Sequence, residues 1–169
     1  VYGLDTSKGR VVYPPLNPIF YNTEPGEEIH SSVQIPSEFL LFVGAGNERK
    51  NLEMLISMQE ATPKGSRIPV VVVGGGSAYA KQCRKRIVQQ KLDEDSLFLE
   101  ACNDLQLKWL YQHAVALLYP SRYEGFGMPV TEALLCGCPV IVSNNSSLPE
   151  AGGDAALYAS TYDPQEWIT

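Results

Sequence analysis

The stretch Tyr119-Pro-Ser-Arg-Tyr-Glu-Gly-Phe-Gly-Met-Pro-Val-Thr-Glu-Ala-Leu-Leu-Cys-Gly-Cys-Pro139 joins two apolar elements through a turn rich in glycine and proline. Before it, Val115-Ala-Leu-Leu-Tyr119 has the length and composition of a buried strand, which Pro120 ends because proline cannot donate to a ladder. Pro129 suits a first helical position, where its missing N–H would have no partner. That register predicts Met128 at the N-cap, Glu132 as the fourth helical residue and Gly137 just past the end. Pro139-Val-Ile-Val-Ser143 comes next as another strand. Strand, loop, helix, strand without a hairpin turn predicts a parallel α/β sheet.

Glu124 and Glu132 fall near the same end of this helix, with Gly125 and Gly127 between them. Glycines allow close approach of backbone to a ligand, and a helix N-terminus offers free N–H groups with the positive end of the macrodipole. Gly125 to Met128, with Phe126 among them, is therefore a candidate anion site that suits a diphosphate. Glu132, one turn in, is placed to accept both hydroxyls of a ribose. Glu124 faces whatever lies beyond the phosphates. The same spacing also fits a plain capping loop with a solvated carboxylate.

Outward from this segment the pattern repeats. Phe39-Leu-Leu-Phe-Val-Gly44 and Ile68-Pro-Val-Val-Val-Val-Gly74 are apolar runs stopped by glycine, as expected of parallel strands covered on both faces. Asn51 to Met58 and about Ala78 to Lys91 read as helices. Ser96 to Glu100 and Ala155 to Tyr158 read as further strands, Leu105 to His113 as a helix with Asn103 or Asp104 as N-cap, and Asp163 to Thr169 as the start of a last helix. The loops Ala45–Lys50, Ala101–Asp104 and Asn144–Ser147 then share one sheet edge, the edge where open α/β sheets bind ligands. Arg49 and Lys50 stand there, positioned to meet phosphate oxygens. Asp93-Glu-Asp95 matches an Asp-x-Asp metal pattern but precedes a strand, so it falls at the opposite edge and reads as a solvated acidic turn. Residues 1–37 carry many prolines and form a linker or the end of a preceding domain, with Gly9-Arg-Val-Val-Tyr13 as a candidate short strand.

The segment from Pro120 to Ala133, with Glu124 and Glu132 separated by seven residues, closely resembles the signature of the retaining glycosyltransferases of family 4. Cys136 to Glu150 and Gly153 to Leu157 resemble the segments C-terminal to that signature, and the likeness runs over roughly residues 39–166. The resemblance implies the C-terminal half of a GT-B fold: a Rossmann-like, doubly wound, mostly parallel sheet over residues 38–169, truncated at its last helix. It implies transfer of a sugar from a nucleotide diphosphate sugar with retention at the anomeric carbon, without a metal or other cofactor. Glu124 and Lys50 take the catalytic roles in that reading. Arg49, Lys50, Gly125, Phe126, Gly127, Met128 and Glu132 hold the donor. A saccharide or lipid-linked acceptor is expected on a missing N-terminal domain, through which any peripheral membrane contact would also run, so that the isolated chain is expected to be inactive. Many members carry Arg directly after the glycine that ends the first strand, where this chain has Ala45.

Two other readings stay open on sequence. One is a nucleotide-sugar-binding module without activity, which Ala45 favours. The other is a dinucleotide-binding oxidoreductase domain resting on Gly74 to Gly76, although Tyr79 stands where that fingerprint asks for a small residue.

The bulk composition agrees with one α/β domain. At 169 residues and 44% apolar content the chain is long enough to bury a core. A net charge of −6 argues against a broad basic surface for nucleic acid. Cys83, Cys102, Cys136 and Cys138 lack paired spacing and, with only His30 and His113 beside them, predict reduced thiols, no zinc site and a cytoplasmic setting. No apolar run approaches membrane-spanning length and no signal peptide is visible. The chain opens at Val1 without Met, which together with the resemblance leads to the expectation of an excised fragment.

Overall fold

The structure is a computed structural model, and it describes residues 7, 9–22, 24–28 and 34–168. His30 and parts of the 1–37 segment lie outside the described residues. Six strands form one sheet: β1 (Leu40–Val43), β2 (Val70–Val73), β3 (Ser96–Leu99), β4 (Ala116–Tyr119), β5 (Val140–Ser143) and β6 (Ala156–Ala159), in the order 3-2-1-4-5-6. Every pairing is parallel. Helices α1 (Leu52–Ala61), α2 (Ala78–Gln89), α3 (Asp104–His113), α4 (Met128–Leu135) and α5 (Leu148–Gly152) provide the crossovers.

Alternation along the strands divides the core into two layers. Leu41, Val43, Val71, Val73, Leu117, Tyr119, Val140 and Val142 point to one side, where they meet Leu110 and Tyr111 of α3, Val130 and Ala133 of α4, and Leu148 of α5. Phe42, Val70, Val72 and Leu118 point to the other, against α1, α2 and Trp167. A sheet covered on both faces explains why β2 reads as an unbroken valine run rather than as alternating apolar and polar residues. The order 3-2-1-4-5-6 reverses direction between β1 and β4. The ligand crevice of a doubly wound sheet opens at that switch point, beyond the carboxyl ends of the strands.

Several expectations change in detail. The segment Gly9–Tyr13 forms no strand: Val11 and Val12 are 81% and 86% exposed and pair with no other strand, so β-propensity alone does not make one. The expected last helix is a 3-10 turn, Pro164–Trp167, started by the Asp163 side chain accepting from Gln165 N–H. Helix α5, with five residues, is too short to show a period in the sequence. Gly74 to Gly76 form a tight strand-to-helix turn in which Ser77 caps α2 by accepting from Ala80 N–H at 3.0 Å. They come after β2, whereas the dinucleotide fingerprint comes after the first strand of a sheet in this order, and the oxidoreductase reading loses its support. Asp93–Asp95 is a 3-10 turn leading into β3, with Glu94 paired to Lys64 and Asp95 to Arg67.

Candidate functional site

The β1–α1 loop brings the two basic residues to the switch point. Gly44 turns the chain at φ +95°, and a Cβ there would stand 3.2 Å from Lys50 Cε, so the absence of a side chain leaves the path along which Lys50 reaches inward. Asn51 adopts a left-handed conformation (φ 59°) and is almost wholly buried. Its amide donates to Pro120 O at 3.1 Å and to Thr161 O at 3.2 Å, tying the loops after β1, β4 and β6 together.

Arg49 and Lys50 converge on Glu124. Lys50 Nζ lies 2.8 Å from Glu124 Oε1, and Arg49 Nη1 lies 2.6 Å from Oε2. Ser121 Oγ donates to Oε1 at 2.7 Å and Tyr119 OH donates to the same oxygen at 3.0 Å, while Lys50 also donates to the Tyr119 hydroxyl. Glu124 is only 7% exposed. Burial by itself pushes its carboxyl up, but the hydrogen bonds from Lys50, Arg49 and Ser121 and the Lys50 charge outweigh that, and the net direction is below the usual carboxylate range. The Tyr119 hydroxyl moves the other way, raised by burial and by the neighbouring Glu124 charge.

Gly125 to Met128 lie beside this cluster. The helix starts one residue earlier than the sequence predicts, with Gly127 as N-cap at φ +105°, Met128 first and Pro129 second, so Glu132 is its fifth residue. A glycine cap supplies no side-chain acceptor, which leaves the backbone donors open. Among the described residues, no carbonyl or side chain accepts from the N–H groups of Gly125, Phe126, Gly127 or Met128. The loop is held from behind by serines: Glu124 N–H donates to Ser146 Oγ at 2.9 Å, and Ser147 Oγ lies 3.0 Å from the carbonyls of both Glu124 and Phe126. From the front, the Tyr13 ring packs on Phe126 with centroids 5.4 Å apart, and its hydroxyl donates to Glu150 at 2.6 Å.

Glu132 stands apart from the Lys50–Arg49–Glu124 cluster. Its Oε2 accepts from Tyr111 OH at 3.1 Å. Burial raises its carboxyl, the Tyr111 hydrogen bond opposes that, and the Asp104 charge adds to it; the net direction is upward. The structure therefore unites Arg49, Lys50, Glu124 and the Gly125–Met128 amides, and sets Glu132 one helical turn away. Sequence reasoning missed Asn51, Tyr119, Ser121 and Tyr111, which read as a helix start, a strand end, a loop residue and a helix interior residue. Ser146 and Ser147 fall in a loop already assigned to the ligand edge.

Among the described residues no comparable arrangement occurs elsewhere. Ala45 is fully buried in the second core layer, so no side chain from that position faces the ligand edge. His113 ends α3, its Nδ1 2.8 Å from Trp109 O. All four cysteines are free; burial pushes Cys102 and Cys138 each up to about 11. Among the described residues no three His, Cys, Asp or Glu side chains gather as a metal site, and no helix is long and apolar enough to cross a membrane.

A parallel sheet of this order, with cations and open amides at its switch point, defines a doubly wound domain of Rossmann type. The chain belongs to the family described as glycosyl transferases group 1, whose model matches residues 27–168, and its fold is that of a GT-B domain. It is 35% identical to the O-antigen chain mannosyltransferase B of Escherichia coli over 74% of this chain and 33% of that protein. It is 30% identical to the O-antigen chain mannosyltransferase RfbU of Salmonella typhimurium over 98% of this chain and 44% of that one. The chain thus spans less than half the length of these curated relatives. Among solved structures, Anabaena Alr3699/HepE in complex with UDP-glucose superposes with a TM-score of 0.68 at 21% identity, over 77% of this chain and 36% of that one.

Proposed function

We propose that this domain holds the nucleotide diphosphate sugar donor of a retaining glycosyltransferase, most similar in its motif to family 4. The observation that carries the reading is the meeting of Arg49, Lys50 and Glu124 beside the open N–H groups of Gly125 to Met128. Membership of the group 1 glycosyl transferases and the UDP-glucose complex of a protein with the same fold support the donor class. In the reaction, the bond between the anomeric carbon and the diphosphate oxygen breaks, the acceptor hydroxyl oxygen bonds to that carbon on the same face, and the diphosphate departs with the proton that hydroxyl gives up. The largest contribution expected of the protein is stabilisation of the negative charge that develops on the leaving group. Arg49, Lys50 and the amides of Gly125, Phe126, Gly127 and Met128 supply it in place of a metal ion. Glu124 orients hydroxyls of the donor sugar and balances positive charge at its ring. Glu132 anchors the ribose.

The acceptor, a saccharide or a lipid-linked saccharide, binds mainly outside this chain, and the enzyme works in the cytoplasm. The isolated chain then binds donor weakly and does not turn over. Calorimetric titration with UDP, GDP, ADP and NAD, repeated on Glu132→Ala, tests the reading. One nucleoside diphosphate binds and the substitution weakens it if the assignment holds. Binding of NAD with none of the nucleoside diphosphates would overturn it.

A further inference from the structure

Tyr111 is fully buried in the last turn of α3, and its hydroxyl points to Glu132 of α4. That hydroxyl donates to Glu132 Oε2 at 3.1 Å and is the one hydrogen-bond partner of the carboxylate among the described residues. The ring is packed on its flank as well. Phe20, itself buried, packs edge-on against it with centroids 6.0 Å apart and planes at 71°. Phe20 is fixed in turn by a strap across α3. Asn17 caps the 3-10 turn Pro18–Phe20 and donates to Asp104 at 2.6 Å, Lys108 donates to Asn22, and Gly26 N–H donates to Gln112 at 2.8 Å. A Cβ on Gly26 would lie 2.2 Å from the Trp109 backbone nitrogen, which shows how closely the strap is seated.

We propose that Tyr111 is a positioning residue for Glu132, holding one carboxylate oxygen so that the group presents its remaining lone pairs to a vicinal diol and selects a ribonucleotide over its dideoxy counterpart. The proposal rests on the donor-site reading above. An ionised carboxylate has about four lone-pair sites, and one taken by Tyr111 leaves enough for two hydroxyls. A long carboxylate side chain free to rotate would have to be ordered on each binding event, and one already fixed would not. The hydroxyl also favours the charged form in a setting where burial and Asp104 disfavour it. The titratable groups facing Glu132 are Tyr111 and Asp104 from α3, Tyr119 from β4 and Cys136 at the C-cap of its own helix.

The test titrates UDP, GDP and ADP to find the nucleotide bound, then compares it with its 2′,3′-dideoxy form on the wild-type chain, Tyr111→Phe and Glu132→Gln, from pH 5 to 8. The ratio of ribo to dideoxy affinity is read within each variant, so a reduced folded fraction does not distort it. The expected result is a ratio lowered about tenfold in Tyr111→Phe, an unchanged dideoxy affinity, and a pH midpoint for ribonucleotide binding moved upward. A wild-type ratio in Tyr111→Phe would overturn the role of Tyr111. Wild-type binding without discrimination between the two sugars would overturn the inference while leaving the donor site standing, and absence of nucleotide binding would overturn both.

Discussion

Removing the carboxylate of Glu124 isolates the energetics of the site from its chemistry. In Glu124→Ala the Lys50 ammonium, with a side chain 14% exposed, keeps no carboxylate partner, the Tyr119 hydroxyl loses its acceptor, and the Ser121 hydroxyl is left with the carbonyls of Arg49 and Tyr123. Breaking a buried pair by removing one partner costs about 3–5 kcal/mol, because the other charge stays buried. Arg49, 40% exposed, is largely rescued by water and adds under about 1 kcal/mol. The total is about 3 kcal/mol, the lower end being appropriate because Lys50 retains the Tyr119 oxygen. For a chain of this size that corresponds to a fall in Tm of roughly 6–12 °C, measured by circular dichroism at pH 7. The pH dependence fixes the cause. The folded carboxyl of Glu124 lies below its unfolded value of 4.5, so its contribution is fully present above that value and is lost as the pH falls through the folded one. The gap between wild type and variant should therefore close in acid. As a contrast, Glu94→Ala removes an exposed pair with Lys64, at 74% and 73% exposure, and should move Tm by no more than about 2 °C. If Glu124→Ala melts as close to wild type as Glu94→Ala does, or if the gap persists unchanged in acid, the cluster does not stabilise the fold in this way.

Other substitutions separate the parts of the site. Glu124→Gln removes the charge that competes with an incoming diphosphate for Arg49 and Lys50, so inorganic pyrophosphate should bind roughly fivefold more tightly by calorimetry, an effect of about 1 kcal/mol, the interaction of two unit charges about 4 Å apart when screened as strongly as in water. Gly127→Ala places a Cβ 2.7 Å from Leu148 Cδ2 at a backbone angle side chains avoid, and should lower stability by about 1–3 kcal/mol in denaturant titration. Asp93→Asn, at the far edge of the sheet, should leave nucleotide affinity unchanged with or without added Mn²⁺; a loss confined to the Mn²⁺ titration would restore the Asp-x-Asp reading.

The legible parts of the fold are those where one residue type has one physical consequence. Unbroken apolar runs ended by Gly44, Gly74 and Pro120 mark β1, β2 and β4, because strands buried on both faces have no polar side to alternate with. The Glu124–Glu132 segment is legible because glycine, proline and acid crowd into one loop. The hidden parts depend on partners distant in sequence. Tyr119 reads as the last apolar residue of a strand, and only the β1–α1 loop folding over it turns its hydroxyl into a ligand of Glu124 and Lys50. Asn51 reads as a helix start, yet its buried amide bridges two other loops. The one-residue shift at α4 has a local cause: proline favours the first helical position, but Gly127 occupies the cap with a left-handed angle and displaces Pro129 to second place. Gly9–Tyr13 shows the opposite failure, a sequence with β-propensity and no neighbouring strand to pair with.

The cluster at the switch point also bears on how an acidic chain can receive an anion. With a net charge of −6, the domain as a whole repels a diphosphate at long range. Locally, Arg49 and Lys50 against Glu124 leave one positive charge, and each cation already has its geometry set by carboxylate oxygens 2.6 and 2.8 Å away. A diphosphate oxygen is the same kind of acceptor as a carboxylate oxygen, so the cations can exchange one for the other with little reorganisation. In the proposed donor complex Glu124, released from them, would keep Ser121 and Tyr119 as hydrogen-bond donors. On the proposed donor-site reading, the carboxylate that orders the cations would give them up to the diphosphate, and this exchange is why removing its charge should strengthen anion binding while weakening the fold.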